Sequence, residues 1–428
     1  MSLVILLGVF ALLMVLGIPV ALSFIGAATS YLLWKGVPLV VAGQTLIGGV
    51  NNYTLLAVPL YILAGELMNS GGITRRLFDF ATALTGHIRG GLGHVNVVAS
   101  IIFSGISGSS SADAAGLGRV EIEAMKKAGY RPGFAASITA ASSTIGPIIP
   151  PSIHLVLYAA LAEVGVDYLF LAGVLPGLVM AGCLMVVIYL LVLSGREDCP
   201  VHAWAGLRHL ANRFMQAIVP LTAPLVIVAG ILSGAFTPTE AGVTAVAYVA
   251  LLGALLGELR WPQVREALFR AVRSSAIVLL ILAAAQAFAW GLTIEKVPEA
   301  IAEGLLSISS DPSVLLAIIL VILLLLGLFE SASANLVIVT PILLPVAAIL
   351  GIDPVHLGVV IVLALTIGVI TPPVGMSLFI VAEISGLSVN QVARETLPYT
   401  LALIAALVVV AFVPALSLFL PRLYGYPG

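Results

Sequence analysis

The chain has 428 residues, 61% hydrophobic and 9% charged, with a formal net charge of −2 and a mean hydropathy of +1.19. A soluble domain carries about 25% charged residues, and here apolar runs of about 20 residues, enough for roughly 30 Å of hydrocarbon, recur from end to end. The composition excludes a soluble protein and no polar stretch is long enough for a separate soluble domain, so the sequence predicts an all-α polytopic membrane chain.

Residues 2–16 lack a basic leader region and run straight into further apolar sequence, so no cleavable signal peptide is expected. Three helices open the first half, with an amphipathic arm at about 72–89. A hairpin follows at about 92–127, then a helix interrupted by Pro150 and Pro151 at about 132–162, and a final span. A polar linker near residue 200 separates this unit (1–200) from a second (201–428). The second has an amphipathic arm at about 260–273, a hairpin at about 312–350, an interrupted helix at about 355–386 and a last span at about 398–420. Cys183 lies in an apolar span and Cys199 in the linker, which is no disulfide framework. No GxxxxGK[ST] motif is present, so the chain hydrolyses no nucleotide of its own, and no nucleic-acid partner is expected.

Shifted by 222 residues, the chain overlays itself. Gly105, Ser109, Ser111 and Asp113 fall on Gly327, Ser331, Ser333 and Asn335. Gly129 and Pro132 fall on Gly351 and Pro354. Thr144, Gly146, Pro150 and Pro151 fall on Thr366, Gly368, Pro372 and Pro373, and Pro176 falls on Pro398. The first hairpin is flanked by Arg75, Arg76 and Arg89, then by Arg119, Lys126, Lys127 and Arg131. Both of its ends are thus placed in the cytoplasm by the positive-inside rule. The second is flanked by Glu295, Glu299, Glu303 and Asp311, then Asp353, and its ends face outward. Tracing the spans leaves only Lys35, Lys296 and Arg422 of the 18 basic residues outside. The result is two inverted-topology repeats with re-entrant hairpins and interrupted helices, with both termini periplasmic in a bacterial inner membrane.

In hydrocarbon a helix breaks only where it lines a cavity or binds something, because every backbone N–H and C=O needs a partner. Four matched breaks therefore predict one site at the midplane. Ser107, Ser109, Ser111 and Asp113 crowd oxygens at one tip; Ser331, Ser333 and Asn335 do so at the other. A hard cation wants several oxygens, and Na⁺ suits a site with few formal charges. The competing reading is that small residues merely allow close packing and that Asp113 and Asn335 cap the next half-helix. The Pro-Pro breaks free carbonyls near Thr144–Gly146 and Thr366–Gly368, and Thr144, Thr366 and Thr371 add hydroxyls, so two cation sites are expected, one per repeat. Half-helix N-termini attract carboxylates, which makes an organic anion the expected solute. Ser110, Pro147, Pro150, Glu330, Pro372 and Val374 are the expected substrate contacts.

Other polar residues read as structure. Glu66 is placed at the cytoplasmic boundary, Glu240 in the first turn of a helix begun by Thr237 and Pro238, and His87, His94 and His154 show no metal spacing. Glu383, just past the second Pro-Pro break, is a weaker site candidate. Trp34 and Trp261 suit the membrane interface.

Segments 58–65 (VPLYILAG), 107–113 (SGSSSAD), 141–151 (ASSTIGPIIPP), 236–240 (FTPTE) and 370–375 (ITPPVG) resemble the large membrane subunit of tripartite ATP-independent periplasmic (TRAP) transporters, over essentially the whole chain. That resemblance implies a Na⁺-coupled importer in which a mobile domain slides against a scaffold by an elevator motion. It implies a periplasmic substrate-binding protein that delivers an organic acid such as a dicarboxylate or sialic acid, and a small four-helix membrane subunit, expected here as a separate chain. It maps the cation sites onto Ser109, Ser111, Asp113, Thr144 and Gly146, and onto Ser331, Ser333, Asn335, Thr366 and Gly368. Gly108 against Glu330, and Asp113 against Asn335, put equal stoichiometry at the two sites in doubt. A self-sufficient Na⁺/carboxylate symporter is the nearest alternative. An intramembrane hydrolase lacks its HExxH or intramembrane Lys, and a passive channel would show no Na⁺ dependence, so no enzymatic activity is expected.

Overall fold

A computed structural model describes the chain apart from residues 71–72, 198, 200–203, 205, 258 and 373, and apart from the side chains of 73–75, 104–107 and 219–220. Pro373 and the side chains of Ser107 and Arg75, all used above, lie outside the described residues.

The first half runs α1 (Ser2–Val15), α2 (Val20–Lys35), α3 (Val40–Val50), α4 (Ala57–Ser70), α5 (Ile73–Thr85), α6 (Leu92–Ser107), α7 (Ser110–Ala115), α8 (Leu117–Lys127), α9 (Pro132–Ser142), α10 (Ile153–Ala162) and α11 (Val166–Leu193). The second runs α12 (Leu207–Leu232), α13 (Pro238–Leu255), α14 (Trp261–Ile294), α15 (Val297–Ile308), α16 (Pro312–Gly327), α17 (Ala332–Ile349), α18 (Pro354–Gly368), α19 (Met376–Ser385), α20 (Val389–Phe412) and α21 (Ala415–Leu423). Among the described residues five helices are long and apolar enough to cross a membrane, or up to seven if bent pairs such as α3–α4 count as one span. The arms of the first hairpin, α16 of the second, and the half-helices α9, α10, α18 and α19 fall short of that length because the chain breaks where its glycines and prolines fall.

Local sequence sets the boundaries. Pro132 and Pro354 open α9 and α18 at the position where a missing N–H costs nothing. Asp353 caps α18 through the amides of Val355 and His356 at 2.8 and 3.2 Å. Thr237 and Glu240 form a reciprocal capping box on α13, which is the helix start read for Glu240. One expectation changes. Residues 260–273 are not a separate arm; no breaker interrupts the stretch after Pro262, so they form the first part of the 34-residue α14. The repeat mate of the α5 arm is α15, which lies on α5 at the same offset.

The helices gather into two bodies. In one, α13 and α14 pack on α4, α14 also on α2 and α3, and α1 on α2. In the other the repeats interlock reciprocally: α10 of the first packs on α17 of the second, α19 of the second on α7 of the first, and α9–α20 is answered by α11–α18. Such exchange is what a two-fold relation between the halves produces, and the fold is two inverted-topology repeats with re-entrant hairpins and interrupted helices. Outward faces are apolar; Val186, Leu190 and Leu193 of α11 and Leu401 of α20 are each at least half exposed, as lipid-facing residues would be.

Candidate functional site

The first tip is a turn only glycine fits. Gly108 has φ +57, and a Cβ on it would stand 2.8 Å from the backbone N of Ile153. Ser109 then opens α7 in extended conformation, yet its side chain caps nothing; its Oγ lies 3.1 Å from Ser111 Oγ. The second tip is built differently. Ser331 does cap α17, accepting from the Ala334 amide at 3.3 Å. Asn335 donates to the carbonyls of Leu326 and Glu330 at 2.9 and 3.4 Å, bracing the reversal. Glu330 folds back onto the amide of Ser331 at 3.3 Å.

Each interrupted helix lies against its own tip. Residues 146–152 separate α9, with its short 3-10 turn Ser143–Ile145, from α10, and a Cβ on Gly146 would lie 3.6 Å from the Ser109 carbonyl. Ser152 caps α10 through the Leu155 amide at 3.2 Å. Residues 369–375 separate α18 from α19, and a Cβ on Gly368 would lie 2.5 Å from the Cα of Gly327 at the end of α16. The amide of Gly375 bonds the Leu328 carbonyl at 3.4 Å, tying break to tip. In the first repeat a side chain makes that tie: His154 Nδ1 is 3.2 Å from the Gly108 carbonyl and its Nε2 is 3.1 Å from Ser333 Oγ. A carbonyl only accepts, so Nδ1 carries the proton and Nε2 accepts from the Ser333 hydroxyl, an assignment made from the bonding.

Between the two bodies is a cavity of about 470 Å³. On one side it is lined by Ser109, Ser111 and Ala112 at the start of α7, Ile153 and His154 at the start of α10, Ser331 and Ser333 at the start of α17, and Met376 at the start of α19. Four helix N-termini thus meet at one space. Their unpaired N–H groups and the positive ends of their dipoles favour an anion there. The other wall is α4 and α14, including Glu66, Asn69 and Ser274. Glu66 lines this cavity and pairs with Arg270 at 2.7 Å, and Arg270 also donates to Ser70 at 2.9 Å.

The structure brings Ser109, Ser111, Ser331 and Ser333 to the cavity. Asp113 and Asn335 are buried behind it, as are Ser110, Pro147, Pro150, Thr144, Gly146, Thr366 and Gly368. Thr144, Thr366 and Thr371 each donate back to their own helix, to Ala141 at 2.7 Å, Val362 at 2.8 Å and Ile367 at 2.8 Å, which leaves their oxygens free to accept. Glu330, Pro372 and Val374 are half-buried near the second tip without lining the cavity, and Glu383 lies in a different pocket with Arg119 and Glu123. Asn69 and Ser274 are not singled out by the sequence reading, and His154, read there as structure, lines the cavity. The signal for His154 was its place two residues after a capping serine at a break, since a polar side chain in an apolar span needs a reason.

Residues 7–416 match the family described as the DctM component of tripartite ATP-independent periplasmic transporters. The chain is 42% identical to the sialic acid TRAP transporter large permease protein SiaM of Vibrio cholerae, covering 96% of both chains. It is 39% identical to the C4-dicarboxylate TRAP transporter large permease protein DctM of Pseudomonas aeruginosa, covering 88% of both. The sialic acid TRAP transporter permease protein SiaT of Haemophilus influenzae is 37% identical over 97% of this chain and 67% of its own length. The fold also superposes on the Alcanivorax borkumensis YdaH transporter with a TM-score of 0.67 over 88% of each chain, at 18% identity. Two inverted halves meeting at a cavity ringed by helix N-termini, with a family match of this length, identify a multi-pass inner-membrane protein that belongs to the DctM component of the tripartite ATP-independent periplasmic transporters.

Proposed function

We propose that the chain is the permease of a Na⁺-coupled secondary importer that takes up a small organic acid. The observation that carries this is the convergence of the α7, α10, α17 and α19 N-termini, with four serine hydroxyls, on one cavity. A carboxylate gains from the helix ends and hydroxyls there, and relatives named for sialic acid and C4-dicarboxylates set the class of solute.

Na⁺ is assigned to the two tips. At the first, Ser107, Ser109, Ser111 and Asp113 would act with Thr144 and the backbone at Gly146; at the second, Ser331, Ser333 and Asn335 with Thr366, Gly368 and Thr371. The close approach of Gly146 to Ser109, and of Gly368 to Gly327, supports this, because each break then lays its freed carbonyls beside its tip. One charge moved inward through 100 mV supplies about 2.3 kcal/mol, and a second cation about doubles it. The interlocked body of hairpins and interrupted helices would slide against α1–α4, α13 and α14 as an elevator, with the first hairpin opening to the cytoplasm, the second to the periplasm, and both termini periplasmic. A periplasmic substrate-binding protein delivers the acid, and a small four-helix membrane subunit joins the scaffold.

The test is reconstitution with the binding protein and small subunit in liposomes, offering sialic acid and C4-dicarboxylates. Uptake should require both an inward Na⁺ gradient and the binding protein. Uptake indifferent to collapse of the gradient removes the coupling, and uptake without the binding protein makes the chain a self-sufficient symporter.

A further inference from the structure

Where α9 begins, α11 ends and α20 begins, a second cavity of about 370 Å³ is lined by three guanidiniums, two carboxylates and one phenol. Arg131 precedes α9, Arg196 and Glu197 follow α11, and Arg394, Glu395 and Tyr399 lie on α20. Both acids are spent on one base. Arg131 Nε donates to Glu197 at 2.9 Å and its Nη2 to the other Glu197 oxygen, the two-pronged geometry in which a guanidinium holds a carboxylate best. The same Nη2 reaches Glu395 at 3.5 Å. Glu395 in turn lies on α9 where no side chain stands, since a Cβ on Gly133 would run into its carboxylate.

That leaves the cavity short of acceptors. Among the described residues Arg196 and Arg394 have no ion pair and no hydrogen bond. Three guanidiniums against two carboxylates leave one positive charge in excess. Tyr399 is 1% exposed, and its hydroxyl completes no hydrogen bond. A buried O–H without an acceptor is costly, so surplus positive charge and an idle donor at one cavity call for an anion.

The fold does not require this cluster. At the 222-residue offset Arg131 becomes Asp353, whose carboxylate caps α18, and Arg196 and Glu197 become Leu418 and Phe419. Counted back by the same offset, Arg394, Glu395 and Tyr399 fall on Ala172, Gly173 and Gly177. The mirrored corner, where α11, α18 and α21 pack together, is built from none of these bases.

The surroundings narrow the class of anion. The cluster stands at helix ends, the depth at which an arginine of a membrane protein meets lipid headgroups. Beside it the outer faces of α11 and α20 are apolar, with Leu190, Leu193, Leu397 and Leu401 each about half exposed or more. A guanidinium matches a phosphate through paired N–H groups, and the leucines match an acyl chain. A small soluble anion would use only the first of these.

We propose that this cavity binds the phosphate group of an anionic membrane lipid, held by Arg196 and Arg394 with the Tyr399 hydroxyl as a further donor, and with the acyl chains along the leucines of α11 and α20. The site is separate from the transport cavity and does not rest on the solute or Na⁺ assigned there. The full chain with its small subunit, in neutral detergent, is titrated with phosphatidylglycerol, phosphatidylcholine or inorganic phosphate, and bound ligand is counted by native mass spectrometry. Wild type should bind one phosphatidylglycerol more tightly than any phosphatidylcholine. The double variant Arg196→Gln/Arg394→Gln should raise the half-saturating concentration of that lipid about 10-fold. Tyr399→Phe should raise it by less; it removes a hydroxyl with no partner in the protein, so it does not act through folding. Arg119→Gln, in a different pocket, should leave it unchanged. Equal affinity for the two lipids, or phosphatidylglycerol binding unaltered in both the double variant and Tyr399→Phe, overturns the site. Inorganic phosphate that displaces the lipid from wild type at equal concentration overturns the lipid as the source of the phosphate.

Discussion

The imidazole of His154 stands 3.1 Å from the hydroxyl of Ser333, so the first interrupted helix is bonded to the second hairpin tip across the centre of the molecule. The same ring donates to Gly108 of the first tip at 3.2 Å. Position 376, its counterpart in the second repeat, is Met376, and the link is made only once.

His154→Ala leaves the Gly108 carbonyl and the Ser333 hydroxyl without this partner, at about 1–3 kcal/mol for a buried group. Since the Ser333 hydroxyl then loses its orientation, the half-saturating Na⁺ concentration for uptake should rise about 10-fold, with His154→Gln retaining part of the wild-type affinity. Equal Na⁺ dependence in wild type and His154→Ala would show that the ring only packs.

Gly327 and Gly368 cross backbone to backbone. A methyl at Gly368 would fall 2.5 Å from the Gly327 Cα, and every atom it meets there is backbone rather than a side chain that could turn away. Gly368→Ala should cost about 1–3 kcal/mol by overpacking, read as a lowered melting temperature in detergent. Gly146→Ala, whose added carbon meets nothing nearer than 3.3 Å, should cost less. The reverse order would contradict the close approach.

The helix breaks were legible because Gly and Pro act on the backbone locally, and the repeat because Thr144–Pro150 and Thr366–Pro372 keep one spacing. What packing alone decides was not. Glu121 sits in a charged stretch with Glu123, Lys126 and Lys127 and reads as a solvated face, yet it is buried. Asn69 and Ser274 are some two hundred positions apart and meet at one cavity only through the α4–α14 contact. The run from Gln263 to Ile294 carries no proline, so its length could be read only by noticing what was missing.

Ser111→Ala and Ser333→Ala each remove a cavity hydroxyl at one tip, and each should weaken the Na⁺ dependence of uptake. Ser111 and Ser333 belong to different repeats, so the double variant should lose more than either single one. Unchanged Na⁺ dependence in both single variants would remove the tips as cation sites.

At the end of α14, outside the span, Glu295 gathers Lys35 at 2.7 Å, Tyr31 at 2.8 Å and Ser2 at 2.9 Å. The Lys35 ammonium first, then the two hydroxyls, hold its carboxyl down to about 2 from an ordinary 4.5. A depressed acid stabilises the fold above its unfolded value and loses that contribution as pH falls towards the folded one. Glu295→Gln should therefore lower the melting temperature at neutral pH by an amount that shrinks between pH 4.5 and 2. A difference that grows on acidification would contradict the pairing.

The cavity between the tips is tested most directly by thiol protection. Ser109→Cys and Ser333→Cys are introduced singly into a chain with Cys183 and Cys199 replaced by serine, and the protein is placed in lipid with its small subunit. A carboxylate that is transported should slow modification of both thiols by a soluble reagent when Na⁺ is present, and not when K⁺ replaces it. Modification of both at the same rate with and without the carboxylate, in Na⁺, would show that this cavity is not where the solute binds.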